Sequence, residues 1–299
     1  MERILVTGGA GFIGSHLAER LAEAHEVTVL DDLSSGRKEN VPAGVRLVEG
    51  SILAPPEMGE FDSVFHFAAE PDVRAPPERI FELNVLGTGK VLEFCGEWGA
   101  KRIVFASSST VYGEAEVPTP ENAPLNPISA YGASKAAGEA HLSSFAHSHG
   151  GRVVSLRYAN IFGPRSLRGV MRDFFFKLRG EHRRLEILGD GKQDKSYLYI
   201  SDAVDATLLA WEKSSGPFEA FNVGNEEKTD VDSIAKLVCS NLSLSPKFEY
   251  SGGERGWEGD VPLMLLDVSK MKALGWAQKT PLEKGLGEYL QWLGGCNSS

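Results

Sequence analysis

The chain has 299 residues, of which 42% are hydrophobic and 24% are charged, and its formal net charge at pH 7 is −10. This composition is that of a globular protein with its own core, and the length suits two domains or one large α/β unit. The negative charge excludes a protein that binds nucleic acid through a basic surface, so we expect no nucleic-acid partner.

Cysteine usage and hydropathy exclude two further classes of protein. The three cysteines, Cys95, Cys239 and Cys296, are widely spaced, which argues against a disulfide framework and against a zinc motif. We therefore expect free thiols and no bound metal. No stretch approaches the roughly 20 apolar residues of a membrane span, and the first residues enter a strand rather than a signal sequence. The expected location is the cytoplasm, with no membrane partner.

Short apolar strands alternate with helical segments through the first half of the chain. Residues 12–24 and the apolar positions between Phe81 and Leu92 have helical spacing. This alternation predicts an α/β fold with a Rossmann-type, doubly wound parallel sheet. The strands predicted for that sheet are 4–6, 27–30, 45–48, 64–67 and 103–106.

The sequence changes in character after Tyr158, where glycine, proline and charged residues become denser. We expect residues 1–160 to form one domain on the Rossmann-type sheet. Residues 161–299 are expected to form a smaller C-terminal α/β lobe. Strand-like segments at 197–200 and 221–223 are expected to return to the parallel sheet.

A glycine turn follows the first predicted strand and opens the first predicted helix. Gly8, Gly11 and Gly14 are spaced three residues apart. Such glycines allow a tight turn, a close approach of the backbone to a pyrophosphate and close packing of helix on sheet, with the helix N-terminus facing the anion. The turn therefore predicts a dinucleotide site.

Two aspartates end the second predicted strand. Asp31 stands close to the position of the acid that accepts hydrogen bonds from the adenosine ribose. A carboxylate there would repel a 2′-phosphate, which favours NAD over NADP. The alternative is that Asp31 and Asp32 only end the strand and cap a turn.

A serine-rich strand end and a tyrosine–lysine pair predict proton-transfer chemistry. Ser108 follows the strand 103–106, at the edge where open α/β sheets bind ligands. Tyr131 and Lys135 share one helix face, and an ammonium favours the phenolate form of a nearby phenol. Tyr131 could then take a proton from a substrate hydroxyl while a hydride leaves the same carbon, with Ser108 bonded to that oxygen.

These motifs resemble those of the extended short-chain dehydrogenase/reductase family, and the resemblance covers nearly the whole chain. Within that family the sequence is similar to the UDP-glucose (UDP-galactose) 4-epimerases, particularly the compact archaeal type. The stretches that carry the resemblance are 7–17, 31–36, 65–69, 107–113, 131–135, 157–164, 189–202 and 255–260.

The resemblance implies that residues 1–160 are an NAD-binding Rossmann domain and that residues 161–299 are a lobe that binds the sugar nucleotide. It also implies roles for individual residues. It implies that Ser108, Tyr131 and Lys135 are catalytic. The implied NAD-binding residues are Gly8, Gly11, Phe12, Ile13, Gly14, Asp31, Asp32, Ser34, Ser35, Gly36, Ser51, Ile52, Phe67, Ala68, Ala69, Ala106, Tyr131, Lys135 and Tyr158. The implied binding residues for the sugar nucleotide are Ser108, Ser109, Thr110, Tyr131, Asn160, Val170, Lys195, Tyr197, Arg255 and Asp260. Trp257 is a further candidate on the uridine side.

The implied activity is epimerisation at C4 of UDP-glucose or UDP-galactose through a 4-keto sugar, in a homodimer that pairs two helices per subunit as a four-helix bundle. UDP-glucuronate stays open, because Arg165 and Arg168 could pair with its carboxylate, and so does a UDP-N-acetylhexosamine. A dehydratase is disfavoured, because Ser109 and Thr110 stand where dehydratases carry acids. A non-catalytic NAD-binding regulator would not need Ser108, Tyr131 and Lys135 together.

Overall fold

The structure is a computed structural model that describes residues 1–256 and 259–295. Its strands, numbered in chain order, are β1 (Arg3–Thr7), β2 (Glu26–Asp31), β3 (Arg46–Glu49), β4 (Ser63–His66), β5 (Arg102–Ser108), β6 (Arg152–Tyr158), β7 (Asn160–Phe162), β8 (Arg184–Ile187), β9 (Asp194–Lys195), β10 (Tyr197–Tyr199), β11 (Phe218–Val223), β12 (Thr229–Asp230), β13 (Lys247–Tyr250) and β14 (Leu263–Met264).

Helices connect most of these strands. The α-helices are α1 (Phe12–Ala22), α2 (Pro77–Ile80), α3 (Gly87–Trp98), α4 (Ala130–His149), α5 (Val170–Gly180), α6 (Ile200–Lys213), α7 (Val231–Leu242), α8 (Ser269–Ala273) and α9 (Leu282–Gly295). A π-helical stretch, Phe81–Leu86, joins α2 to α3, and short 3₁₀ turns occupy Lys38–Asn40 and Ser109–Val111.

Seven parallel strands form the central sheet in the order β3-β2-β1-β4-β5-β6-β11. The predicted α/β fold with a Rossmann-type sheet is therefore confirmed. The strand order reverses between β1 and β4, which opens a crevice at the carboxyl ends of the strands where such folds bind ligands. The glycine turn after β1 lies at this edge.

Both faces of the sheet are buried under helices. Successive residues of a strand point to opposite faces, so each strand contributes to the core on both sides. Ile4 and Val6 of β1 belong to a cluster that also contains residues of α1 and α6. Leu5 belongs to the cluster on the other face, with residues of α3 and α4. The helices thus fix the strand ends, and with them the crevice, from both sides.

Of the two C-terminal segments that were predicted to join the central sheet, one does so and the other does not. Phe218–Val223 joins the edge of the central sheet parallel to β6, as predicted. The prediction for 197–200 is wrong, because Tyr197–Tyr199 pairs instead with β7 in a separate two-stranded sheet. An apolar run predicts a strand but does not specify its partner, and here α6 begins directly after three strand residues.

The C-terminal segment adds small sheets and a group of helices beside the crevice. β12, β9 and β14 form one sheet, β13 and β8 form another, and α5, α7 and α9 pack on each other. The division at residue 160 stays a prediction, since β11 from the second segment completes the sheet of the first.

Cys95 and Cys239 are buried free thiols, and Cys296 lies outside the described residues. Over the part of the chain that the structure describes, no set of His, Cys, Asp and Glu side chains is arranged to hold a metal ion. Over the same residues, no helix has the length and apolar character that crossing a membrane requires.

Candidate active site

A cavity of about 1060 Å³ opens at the carboxyl edge of the central sheet. It brings together most of the residues that the sequence nominated for cofactor, chemistry and substrate. The nominated residues that line it are Gly8, Gly11, Phe12, Ile13, Gly14, Asp31, Asp32, Ser34, Ser35, Ile52, Phe67, Ala68, Ala69, Ala106, Ser108, Ser109, Thr110, Tyr131, Lys135, Tyr158, Asn160, Val170, Lys195, Tyr197 and Asp260.

Three nominated residues lie beside the cavity lining instead. Gly36 packs behind Asp31, where a side chain would crowd the carboxylate. The Ser51 hydroxyl accepts a hydrogen bond from the backbone N–H of Leu53. Arg255 donates to the backbone oxygen of Asp260 and forms an ion pair with Glu114. Their roles toward ligands stay predictions. Trp257 lies outside the described residues.

The glycine turn is built for close approach of a ligand to the backbone. Gly8 has a φ of +70°, which L side chains rarely adopt. A Cβ at Gly14 would overlap the carbonyl oxygen of Gly8, so the first turn of α1 can pack this closely only with glycine there. Gly11 precedes α1 and provides no side-chain cap, which leaves the amides of Phe12 and Ile13 at an open helix N-terminus. These features fit a dinucleotide pyrophosphate.

Asp31 holds a turn, and its position also leaves open the predicted role toward a ribose. Its carboxylate accepts hydrogen bonds from the backbone N–H groups of Ala10 and Leu33, both at 2.9 Å, so it does hold a turn. It also lines the cavity, and burial raises its pKa. Each carboxylate oxygen retains a further acceptor site for a ribose hydroxyl. Asp32 accepts from the backbone N–H and the hydroxyl of Ser34.

The three nominated catalytic residues share the cavity wall between β5 and α4. Ser108 ends β5, and its Oγ accepts hydrogen bonds from the backbone N–H and the hydroxyl of Thr110, at 3.2 and 3.0 Å. Ser129 caps α4, whose first turn carries Tyr131. The Lys135 Nζ lies 5.7 Å from the centroid of the Tyr131 ring.

Burial is the main cause of the shifted pKa values of Tyr131 and Lys135. It raises the pKa of Tyr131 to about 12, against a smaller lowering by the charge of Arg168. Burial also lowers the pKa of Lys135 to about 8. Positive charge close to the phenol would oppose this effect of burial, because it favours the phenolate. The role of Lys135 beside Tyr131 stays a prediction.

Sequence reasoning missed Asn84, a polar side chain that helps to hold these residues in place, whereas it did interpret His66 as a core histidine with satisfied hydrogen bonds. The amide of Asn84 bonds to both backbone groups of Glu70 and donates to the Ser134 hydroxyl on α4 at 3.0 Å. His66 bridges the hydroxyls of Thr7 and Thr88, and burial lowers its pKa to about 3, so the imidazole is neutral.

A second missed group is the buried ion pair between Glu139 on α4 and Arg157 on β6. Glu139 stands four residues after Lys135, so its helical spacing was the one available signal. Its partners lie on the strands β5 and β6, and the spacing of residues within the helix does not reveal them.

The part of the cavity that the sequence nominated for the substrate contains internal ion pairs. The Lys195 ammonium contacts the Asp260 carboxylate, so these two nominated residues bind each other. The guanidinium of Arg168 lies 3.3 Å from Asp72, and that of Arg165 lies 2.8 Å from Glu19. Both arginines therefore carry a carboxylate partner from the chain itself.

The parallel sheet with its glycine turn defines a dinucleotide-binding protein of the α/β class. The family model described as the NAD dependent epimerase/dehydratase family matches residues 4–224. The chain belongs to this family, within the extended short-chain dehydrogenases/reductases, and NAD is its cofactor.

Individual relatives cover the chain almost completely. A putative UDP-glucose 4-epimerase from Methanocaldococcus jannaschii is 33% identical over 97% of this chain and 98% of its own length. A crystal structure of a UDP-galactose 4-epimerase has 44% identity and a TM-score of 0.91, over 98% of this chain and 99% of that one. The UDP-glucose 4-epimerase of Thermus thermophilus, in complex with NAD, has 33% identity and a TM-score of 0.88, over 98% of this chain and 99% of that one.

Proposed function

We propose that the chain is an NAD-dependent UDP-hexose 4-epimerase that interconverts UDP-glucose and UDP-galactose. The observation that carries the proposal is that Ser108, Tyr131 and Lys135 line one cavity together with the glycine turn. A proton acceptor and a dinucleotide cradle in one cavity suit reversible oxidation of a substrate alcohol. The names of the similar epimerases support the choice of a UDP-hexose.

In the proposed mechanism, Tyr131 removes the proton of the sugar 4′-hydroxyl and later returns it to the same oxygen. Ser108 donates a hydrogen bond to that oxygen and orients the C4′–H bond. Bound NAD⁺ would supply the acceptor for the C4′ hydride and a positive charge beside the phenol. Lys135 adds its ammonium charge, since a pKa of about 8 keeps it mostly protonated at pH 7.

The proposed epimerase must hold the nucleotide firmly and the hexose loosely, so that the 4-keto sugar can turn its other face. Asn160, Lys195 and Asp260 line the cavity on the C-terminal side, where they would hold the nucleotide. Gly169 precedes α5 and provides no side-chain cap, so the amide of Val170 lies at an open helix N-terminus suited to a diphosphate.

UDP-glucuronate is the second candidate substrate, because Arg165 and Arg168 line the cavity. Both guanidinium groups, however, already pair with Glu19 or Asp72. A uronate carboxylate would have to compete with these acids for each arginine. This arrangement favours a neutral hexose.

A substrate panel tests the proposal. The purified protein, with no NAD added, is incubated with UDP-glucose, UDP-galactose, UDP-N-acetylglucosamine or UDP-glucuronate, and the products are separated by chromatography. The proposal predicts that UDP-glucose and UDP-galactose reach one common mixture from either side. Turnover of UDP-glucuronate alone would replace it by the second candidate, and no turnover of any sugar would refute it.

We further propose that the enzyme is a homodimer built on α3 and α4. Phe81 and Leu86, in the π-helical stretch that packs on α4, are each about half exposed, at 54% and 50%. A second copy of the chain would cover these side chains and bury apolar surface. Light scattering at micromolar concentration should give twice the chain mass, and Leu86→Glu should lower it. A monomeric mass for the unmodified protein would contradict the proposal.

A further inference from the structure

Glu139 is a buried carboxylate that the proposed reaction does not use. It is 3% exposed and lies on α4, one helical turn beyond Lys135 and two beyond Tyr131. A charge this deeply buried needs partners that satisfy it, because desolvation disfavours the ionised form.

Three side chains from two strands satisfy this carboxylate. The Ser107 hydroxyl donates to Oε1 at 2.6 Å, and the Ser155 hydroxyl donates to the same oxygen at 3.0 Å. Arg157 donates from Nε to Oε1 at 2.9 Å and from Nη2 to Oε2 at 2.6 Å. One side chain of α4 therefore binds β5 and β6 at once.

The partners stand next to residues of the active site. Ser107 directly precedes Ser108, which the mechanism places on the reacting oxygen. Arg157 directly precedes Tyr158, whose ring lies in the cavity wall. Tyr131 and Glu139 lie on the same helix. A shift of α4 along its axis would therefore move Tyr131 relative to the ends of β5 and β6.

Arg157 extends the connection to the edge of the sheet. Its Nη1 donates to the Tyr112 hydroxyl at 2.7 Å, and that hydroxyl donates to the side-chain oxygen of Asn222 on β11 at 2.8 Å. The network thus fixes α4 against three neighbouring strands. Apolar side chains could fill this space at lower desolvation cost, but they would not specify one register of helix on sheet.

We propose that Glu139 is the positioning residue that sets the register of α4 against β5 and β6, and so holds Tyr131 in reach of the oxygen that Ser108 binds. This inference rests on the proposed function for its role in turnover. Glu139 itself is not among the residues that line the cavity.

A matched pair of serine variants tests the inference. Ser107→Ala and Ser155→Ala each remove one hydrogen bond from Oε1 of Glu139, at two buried positions. The inference predicts similar losses of melting temperature. It also predicts that kcat falls about tenfold in Ser107→Ala, beside the active site, while KM and bound NAD stay unchanged. Ser155→Ala should lower kcat as well, because it removes a hydrogen bond from the same oxygen of Glu139.

A wild-type kcat in both serine variants would overturn the inference. A loss of kcat in Ser107→Ala that follows a loss of bound NAD would also overturn it, since the effect would then lie in cofactor binding.

Glu139→Gln tests the carboxylate directly, with Asp202→Asn as its control. Asp202 on α6 is also buried and accepts hydrogen bonds from the backbone N–H groups of Lys279 and Thr280. Both variants should lose stability, but Glu139→Gln alone should lose kcat at a temperature where both are folded. Retained kcat in folded Glu139→Gln would overturn the inference. If that variant does not fold, the serine pair decides.

A readout without turnover separates this inference from the proposed function. The phenolate absorbance of Tyr131 in the NAD-loaded protein, obtained by subtracting Tyr131→Phe, should titrate at higher pH in Ser155→Ala than in the wild type, because a displaced phenol lies farther from the positive charges of the cavity and the variant removes no charge itself. Asp202→Asn should leave the titration unchanged. If no UDP-sugar is turned over but the titration moves, the proposed function fails and the positioning role stands. An unmoved titration overturns the positioning role alone.

Discussion

The ammonium nitrogen of Lys135 lies 5.7 Å from the ring centroid of Tyr131, one turn along the same helix. Burial acts on both groups against their charged forms, raising the pKa of the phenol to about 12 and lowering that of the ammonium to about 8. The lysine therefore keeps most of its charge at pH 7, and this charge favours the phenolate that the proposed mechanism needs.

Removing the ammonium should make the phenol a poorer base. Lys135→Met should lower kcat at pH 7 by roughly 10²-fold or more, and the rise of kcat with pH should move to higher pH. The check is a pH profile of kcat between neutral pH and the alkaline limit of stability, with the NAD content of each preparation measured. A variant that keeps its NAD and its wild-type profile would exclude this role for Lys135.

The neutral, buried His66 should make the protein sensitive to acid. Its pKa is about 3 in the folded chain and ordinarily 6.5, so between these values the unfolded chain binds a proton that the folded chain does not. The free energy of unfolding must then fall as the pH decreases below 6.5.

We expect this loss to be about 2 kcal/mol between pH 6.5 and 4.5. Urea unfolding of the wild type and of His66→Gln at both pH values measures it, because other titrating groups are common to the two proteins. The variant should lose less stability on acidification. Parallel losses in the two proteins would show that His66 does not titrate in this way.

The glycine turn should not tolerate a methyl group. In Gly14→Ala the new Cβ would meet the backbone of Gly8, so α1 must move away from the turn. We expect protein purified with little or no bound NAD. Gly180→Ala is the control, because a Cβ there meets open space at the end of α5. Normal NAD content in Gly14→Ala would contradict the proposed cradle.

The carboxylate of Asp31 should set the preference between the two nicotinamide dinucleotides. NAD should bind at least about tenfold more tightly than NADP, because a 2′-phosphate would meet a buried negative charge. Asp31→Asn should narrow this ratio, since the amide removes the repulsion. Calorimetric titration of NAD-free protein gives the four dissociation constants. Equal affinities of the wild type for both dinucleotides would refute the assignment.

Local patterns in the sequence are sufficient for the parts of the site that depend on neighbouring residues. The glycine spacing after β1 and the Tyr131–Lys135 spacing describe geometry within one turn and one helix, and both sets of residues line the cavity. The parallel sheet also follows from the alternation of strands and helices.

Features that depend on partners far apart in the sequence cannot be predicted from local patterns. The pairing of Tyr197–Tyr199 with β7, the contact of Lys195 with Asp260 and the network around Glu139 each join segments that local spacing does not connect. The pKa of Tyr131 escapes prediction for a related reason, because the spacing shows which charge is near but not how deeply the phenol is buried.

In the proposed reaction, the hydrogen at C4′ leaves the sugar and returns to it without entering solvent, while Tyr131 moves the hydroxyl proton. Epimerisation of UDP-galactose in D₂O, with the product examined by proton NMR and mass spectrometry, measures this directly. The expected product is UDP-glucose with its original hydrogen at C4′. Deuterium at C4′ would contradict the proposed reaction, because the carbon would then have exchanged a proton with water.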